Sequence, residues 1–249
     1  MTSTMTRLRG KFRERTRNIF LPRGVTVRLL DHLEPADYMD EWSSQPFNGQ
    51  VHRFALMVAL GRELKPTLAV ETGTFVGTST PYLAALAERG AVTIEISDHF
   101  AERARRRFAA NHAAARIEQV RADSVLAIRQ TLGRLDPTTD RVLAYLDAHW
   151  QDSVPTASEL TALAQWGGPW IAVIDDFEVP GDPGYGFDAY GSTVVGPGLV
   201  PDEYGLLVFV PSVPSTAETG ARRGTGIVMD ASMYETLTPL VTDQLRQVR

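Results

Sequence analysis

From residue 50 onward the chain alternates short apolar, β-branched runs with stretches of helical periodicity, and this alternation restricts the fold more than any other feature. The strand-like runs are Thr67–Glu71, Val92–Ile96, Arg116–Val120, Arg141–Leu146 and Trp170–Ile174. Helical patterns over Thr78–Arg89, Phe100–His112, Ser124–Leu132 and Pro155–Trp166 separate them, and Val51–Leu64 precedes the first. Strand, helix, strand at this spacing predicts a parallel sheet with helices on both faces. Beyond residue 200 the pattern changes. Leu206–Val210 and Gly226–Met229 read as strands joined by the turn-rich Pro211–Gly224, which suits an antiparallel pair, and Ala231–Gln247 reads as a closing helix.

A chain of 249 residues fits one large α/β domain, here residues 50–249, preceded by a basic arm and gate segment over residues 1–49. The absence of Cys excludes disulfides and Cys-ligated zinc, and it fits a reducing cytoplasm. No apolar run approaches the roughly 18 residues that a membrane helix needs. The net charge of −5 hides an asymmetry, because Arg7, Arg9, Lys11, Arg13, Arg15, Arg17, Arg23 and Arg28 face Glu14 alone in the first thirty residues. Such a start suits a transit peptide, a nucleic-acid arm, an anchor for an anionic surface or an arm packed on a partner. A homodimer through this segment is compatible with the sequence, although no motif specifies one.

The first strand runs into Glu71-Thr72-Gly73-Thr74-Phe75-Val76-Gly77-Thr78-Ser79. Glycines directly after a buried strand let the backbone turn tightly and approach a ligand, and the following helix points its amides at that ligand. A dinucleotide site needs Gly-x-Gly-x-x-Gly. The spacing here is Gly73-x-x-x-Gly77, and no Gly-Lys-Ser/Thr follows, so neither a dinucleotide site nor a phosphate-binding P-loop is present. Glu95 ends the second strand, where an acidic side chain can accept both hydroxyls of a ribose. Asp123 and Ser124 follow the third strand. Taken singly, each is a weak signal, and a lone strand-end Glu is more often a solvated charge; together they lie along the crevice where α/β sheets bind ligands.

Three carboxylates follow strands four and five: Asp147, then Asp175 and Asp176. Unpaired in one cleft they would repel, and a divalent cation would resolve this; hard oxygen ligands favour magnesium or a similar ion. The alternative is that Asp147 caps a helix while Asp175-Asp176 forms a turn. His149 has an ordinary pKa of about 6.5, suited to proton transfer, and a purely structural place beside Trp150 fits it equally. The loop after strand five, Pro180–Gly191, carries Tyr185, Phe187, Asp188 and Tyr190, which could stack on a ring and accept hydroxyl bonds or simply pack.

The Glu-x-Gly-x-x-x-Gly-x-Ser segment resembles motif I of metal-dependent catechol-type O-methyltransferases, and Phe47-Asn48-Gly49-Gln50 with Pro66 resembles the gate before it. The interval between Asp147 and Asp175 also matches that pattern, and macrolide-sugar O-methyltransferases use a paired acid at the second position. The resemblance implies a Rossmann-like class I methyltransferase fold, with a seven-stranded, mostly parallel sheet and an antiparallel last strand. It implies S-adenosylmethionine as donor, bound by Glu71, Gly73, Thr74, Phe75, Gly77, Ser79, Glu95, Asp123, Ser124 and Asp147. It implies Mg2+ on Asp147, Asp175 and Asp176, with Asp147 taking part in catalysis. The catechol-type lysine three residues after the strand-four Asp is absent; Trp150 stands there, leaving His149 as the nearest base. That departure and the aromatic loop favour a sugar hydroxyl, with Tyr185, Phe187, Asp188 and Tyr190 meeting the acceptor. The chain also resembles short actinobacterial O-methyltransferases, a group with a member that methylates methylmannose oligosaccharides. A catechol or phenol acceptor, and a relative that binds cofactor without methylating, stay open. A nucleic-acid base is disfavoured, since no Asn/Asp-Pro-Pro-aromatic motif follows strand four.

Overall fold

The computed structural model describes residues 45–110, 114–149 and 153–249; the basic arm up to residue 44 and Trp150 lie outside them. Five strands form the parallel part of the sheet: β1 (Leu68–Thr72), β2 (Ala91–Glu95), β3 (Ile117–Arg121), β4 (Val142–Leu146) and β5 (Trp170–Asp175). They lie in the order β3-β2-β1-β4-β5. The chain winds outward from β1 to β3, then returns to pair β4 against the other side of β1, with Glu71 opposite Tyr145. That reversal leaves a crevice at the carboxyl ends of β1 and β4, where sheets of this kind bind ligands.

Beyond β5 the sheet turns antiparallel. β9 (Thr225–Met229) pairs with β5, β8 (Leu207–Pro211) with β9, and β10 (Leu245–Gln247) with β8. The main sheet therefore has eight strands, one more than the sequence predicts. The extra strand corrects the expected helix over Ala231–Gln247, which is two short helices, α6 (Ala231–Glu235) and α7 (Pro239–Thr242), followed by β10. Proline cannot continue a helix but is preorganised to begin one, so Pro239 separates the two and opens the second. A two-stranded hairpin, β6 (Ala189–Tyr190) and β7 (Thr193–Val194), stands outside the sheet in the loop after β5.

Side-chain alternation builds two cores. Val142, Ala144 and Leu146 of β4, with Trp170, Ala172 and Ile174 of β5, pack under α4 (Ser124–Leu132) and α5 (Thr156–Trp166). Leu143, Tyr145, Ile171 and Val173 face the opposite side, under α1 (Val51–Leu64) and α2 (Thr80–Leu86). β4 and β5 are buried on both faces, which explains their continuous apolar runs. α3 (Asp98–Ala110) is amphipathic and buries only Ala104 and Phe108 beside the edge strands. Among the described residues, no helix is long and apolar enough to cross a membrane.

Candidate active site

The glycine loop meets the end of β4 at Gly73. This residue has φ +77°, and a Cβ placed on it would lie 2.0 Å from the Asp147 carbonyl oxygen. Only glycine permits that approach, and it carries Asp147 to the crevice, where the Asp147 N–H donates to the Thr72 carbonyl at 3.0 Å. Gly77 has a different task. Its absent Cβ makes room for the Phe108 ring, 2.6 Å from where that atom would sit, so this glycine seats α3 against the loop.

Several of the residues expected to bind the donor are already engaged by the protein itself. The Glu95 carboxylate accepts the Phe75 and Ser97 N–H groups, each at 2.8 Å. Phe75, in left-handed backbone, is exposed and packs on Phe100 with ring centroids 4.5 Å apart. Glu71 is buried and accepts the Thr80 and Thr93 hydroxyls at 2.5 and 2.6 Å; desolvation overcomes those bonds and lifts its pKa to about 7. The Thr74 hydroxyl meets Thr93 rather than facing the crevice. Asp123 caps α4, accepting from Leu126 N–H at 3.0 Å, and Ser124 is buried as the first residue of that helix. Ser79 Oγ accepts the Phe47 N–H at 3.0 Å, fastening the gate to the glycine loop.

On the acceptor side the structure separates the two adjacent aspartates. Asp175 continues the alternation of Ile171 and Val173 and so points toward α1. There it pairs with the buried Arg53, and Tyr145 OH donates to its Oδ2 at 2.6 Å, Asn48 Nδ2 at 3.0 Å. Its Oδ1 also accepts the Asp176 N–H at 2.7 Å. The expectation that Asp175 joins Asp147 and Asp176 around a metal is therefore corrected: its oxygens are turned into a buried ion pair. Arg53 was missed by sequence reasoning, although it sits on the apolar stripe formed by Leu56, Met57, Leu60 and Leu64. A cation there signals a buried anion opposite.

Asp176 leaves the strand with φ +52°, which swings its side chain into the cleft. The group that assembles there is Asp147, His149 and Asp176, whose ligand atoms lie within 4.8 Å of one another. His149 Nε2 lies 3.8 Å from Asp147 Oδ1, 3.8 Å from Asp176 Oδ2 and 3.9 Å from Asp188 Oδ2. These separations exceed hydrogen-bond length, and both ring nitrogens are buried without a partner. Two carboxylates and an imidazole converging on one point, with orphaned nitrogens, fit a divalent cation. Burial and the charges of Asp175 and Asp176 push the Asp147 pKa well above the carboxylate range. Burial also raises the pKa of Asp176, but His149 and Arg223 beside it prevail and hold it at about 2. For His149 burial lowers the pKa, and Asp176, Asp175 and Asp188 together reverse that to a net rise.

The loop after β5 folds back over this point. Arg223 Nε donates to Asp176 Oδ1, its Nη2 pairs with Asp188, and Gln50 grips its backbone N–H at 2.7 Å and carbonyl at 2.9 Å. Arg223 thus bridges two cleft carboxylates. Tyr190 OH donates to Asp188 Oδ2 at 2.7 Å, and Phe187 is exposed. Tyr185 corrects the expectation for the loop: it is buried in the core with its hydroxyl donating to the Val213 carbonyl at 3.0 Å, so it meets no acceptor.

Sheet order, glycine loop and crevice define a class I methyltransferase architecture. The structure superposes with TM-score 0.51 on a protein from Klebsiella pneumoniae assigned by inference as an O-methyltransferase, at 17% identity and 88% coverage of both chains. It also matches the O-methyltransferase TomG from Streptomyces achromogenes, crystallised with S-adenosylmethionine, at 23% identity and TM-score 0.49, covering 71% of this chain and 78% of that one. A Bacillus cereus O-methyltransferase in complex with S-adenosylhomocysteine matches at 17% identity and TM-score 0.49, with 71% and 80% covered. No curated protein sequence matches the chain. The sequence profile of the Rhamnosyl O-methyltransferase/CmcI family matches residues 37–193, and the chain belongs to that family.

Proposed function

We propose that the protein transfers the methyl group of S-adenosylmethionine to a hydroxyl of a sugar or similar small molecule, with a divalent cation held by Asp147, His149 and Asp176. The observation that carries this is the convergence on His149 Nε2, an unpartnered nitrogen with carboxylate oxygens of Asp147, Asp176 and Asp188 3.8 to 3.9 Å away. A rhamnosyl family description supports a sugar acceptor. In the balanced reaction the acceptor O–CH3 bond forms as the S–CH3 bond breaks, leaving S-adenosylhomocysteine, a methyl ether and a released proton.

A bound cation would supply Lewis-acid stabilisation of the developing alkoxide. The chain's own residues do the rest. Glu71, Glu95 and the Gly73 turn hold the donor in the crevice, and Ser79 ties the gate across its methionine end. Asp188, fixed between Arg223 and Tyr190, offers a carboxylate toward the acceptor, and Tyr190 and Phe187 give its ring a stacking surface. A second reading makes His149 the base, favoured by its raised proton affinity. Burial favours the ligand role, because its side chain is only 1% exposed.

A methyl-donor consumption assay across sugar, phenol and catechol panels, with and without chelator, tests the proposal. Turnover on a sugar, abolished by chelator and restored by Mg2+ or Mn2+, is the expected result. Chelator-insensitive turnover removes the cation. Mn2+ titration of His149→Gln separates its two roles: loss of affinity together with turnover marks a ligand, and loss of turnover alone marks a base.

A further inference from the structure

A helix cannot satisfy its own first N–H groups, and the side chain just before it ordinarily accepts one of them. At α1 that residue, Gln50, makes no such bond, because its amide is turned to the backbone of Arg223. The acceptors come instead from the segment between β8 and β9, 165 to 168 residues along the chain. Val51 N–H donates to Thr219 Oγ1 at 2.9 Å, while His52 N–H donates to Glu218 Oε1 and Arg53 N–H to Glu218 Oε2, each at 3.1 Å. The Thr219 hydroxyl donates in turn to the Gly49 carbonyl at 2.9 Å, and the Ala221 N–H to the Asn48 carbonyl at 3.0 Å. Glu218 is only 5% exposed. A carboxylate cap is stronger than a neutral one and meets the positive end of the helix dipole.

Stability alone would be served by a serine or aspartate at position 50. The distant cap does something more, because it joins two branches that meet on Asp176. One branch is α1. Arg53, whose own N–H Glu218 holds, pairs with Asp175, and Asp175 Oδ1 accepts the Asp176 N–H at 2.7 Å. The other branch is the capping segment itself, which runs on to Arg223, whose guanidinium pairs with Asp176 and Asp188. Arg53 also ties the branches together by donating to the Gly224 carbonyl at 2.9 Å.

We propose that Glu218 is a positioning residue for the acceptor half of the cleft: its carboxylate docks the segment between β8 and β9 onto the start of α1, and so sets Arg53 and Arg223 on either side of Asp176. The inference rests on the cleft being the reacting site. Glu218 acts through those two arginines, since both its oxygens are held by backbone N–H groups.

The test uses Glu218→Ala in the full chain and reads both halves of the cleft. The Arg223 Nε–H signal in nitrogen-15 spectra, assigned by its absence in Arg223→Lys, is expected to shift and to exchange with solvent about tenfold faster or more. With methyl rhamnoside as acceptor, kcat/KM is expected to fall by about 10- to 100-fold, as a misplaced carboxylate would cause. S-adenosylhomocysteine affinity, read by calorimetry, is expected to stay within about threefold. An unmoved Arg223 signal in a folded Glu218→Ala protein overturns the proposal. So does a loss of S-adenosylhomocysteine affinity as large as the loss of kcat/KM, which would mark a cap that serves the fold alone. Should Glu218→Ala fail to fold, Thr219→Val carries the same expectations, and Thr219→Ser, which keeps the hydroxyl, should restore the Arg223 signal. Absence of transfer to methyl rhamnoside by the unsubstituted protein counts against the sugar acceptor, and the Arg223 signal still decides the place of Glu218.

Discussion

In the proposed site the donor half of the cleft and the acceptor half are made in different ways. The donor half is short-range: Glu71, Gly73, Ser79 and Glu95 come from one strand–loop–helix–strand unit, and their positions follow from backbone turns. The acceptor half is assembled across the whole chain. Arg53 of α1 reaches Asp175, and Arg223 before β9 reaches Asp176 and Asp188. Motifs record the first kind of site well. The second depends on which way each side chain points, and there a shift of one residue reverses the role, as at Asp175 and Asp176.

If the two halves are independent, substitutions should sort cleanly between them, with Gly73 as the exception. Gly73→Ala should have the largest effect, because the added Cβ meets the Asp147 carbonyl at 2.0 Å in backbone that favours glycine. Loss of several kcal/mol of stability, about 3 or more, is expected in thermal or urea unfolding, with donor and acceptor functions failing together. A folded, active Gly73→Ala enzyme would mean that the halves do not meet there.

Asp176→Asn should lower turnover by about 10²- to 10³-fold through loss of charge stabilisation while S-adenosylhomocysteine affinity, read by calorimetry, changes less than threefold. Arg53→Met leaves the Asp175 charge buried and should cost about 3–5 kcal/mol in urea unfolding. Adding Asp175→Leu should recover much of that, since apolar replacement of a buried pair is often neutral. If Asp175→Leu alone abolished Mn2+ binding in a folded protein, the separation of Asp175 from Asp176 would be wrong.

A smaller effect concerns Glu71. Its pKa is raised from 4.5 to about 7 by desolvation, so the folded state holds a proton that the unfolded state releases between those values. Its contribution to stability is therefore full below pH 4.5 and is lost as pH rises toward about 7, by roughly 3 kcal/mol. Glu71→Gln should remove that share of the slope in melting temperature against pH. An unchanged slope would place the titration elsewhere. The smallest effect is expected at Phe187→Ala, a several-fold rise in acceptor KM with kcat nearly unchanged, as fits an exposed stacking surface.

Much of this was legible in the residues. Helices Val51–Leu64 and Ser124–Leu132 match the structure in both bounds, and the parallel strands match within a residue or two, because buried apolar runs and caps are local signals. The closing helix was not, since Pro239 and pairing with β8 override a weak helical period. Tyr185 looked like a loop aromatic and is core. Asp175 could have been assigned from the period of two in Ile171, Val173 and Asp175, and Arg53 from a charge on an apolar helix face. Their partners lie too far along the chain for spacing to name.

The most direct test is methyl transfer to a sugar hydroxyl in the presence of chelator, with Mn2+ then added back. Loss of transfer in chelator and its recovery with Mn2+, together with no recovery in Asp176→Asn, is the expected result. Full transfer in chelator, or an Asp176→Asn enzyme that responds to Mn2+ as its parent does, would contradict a cation held by Asp147, His149 and Asp176.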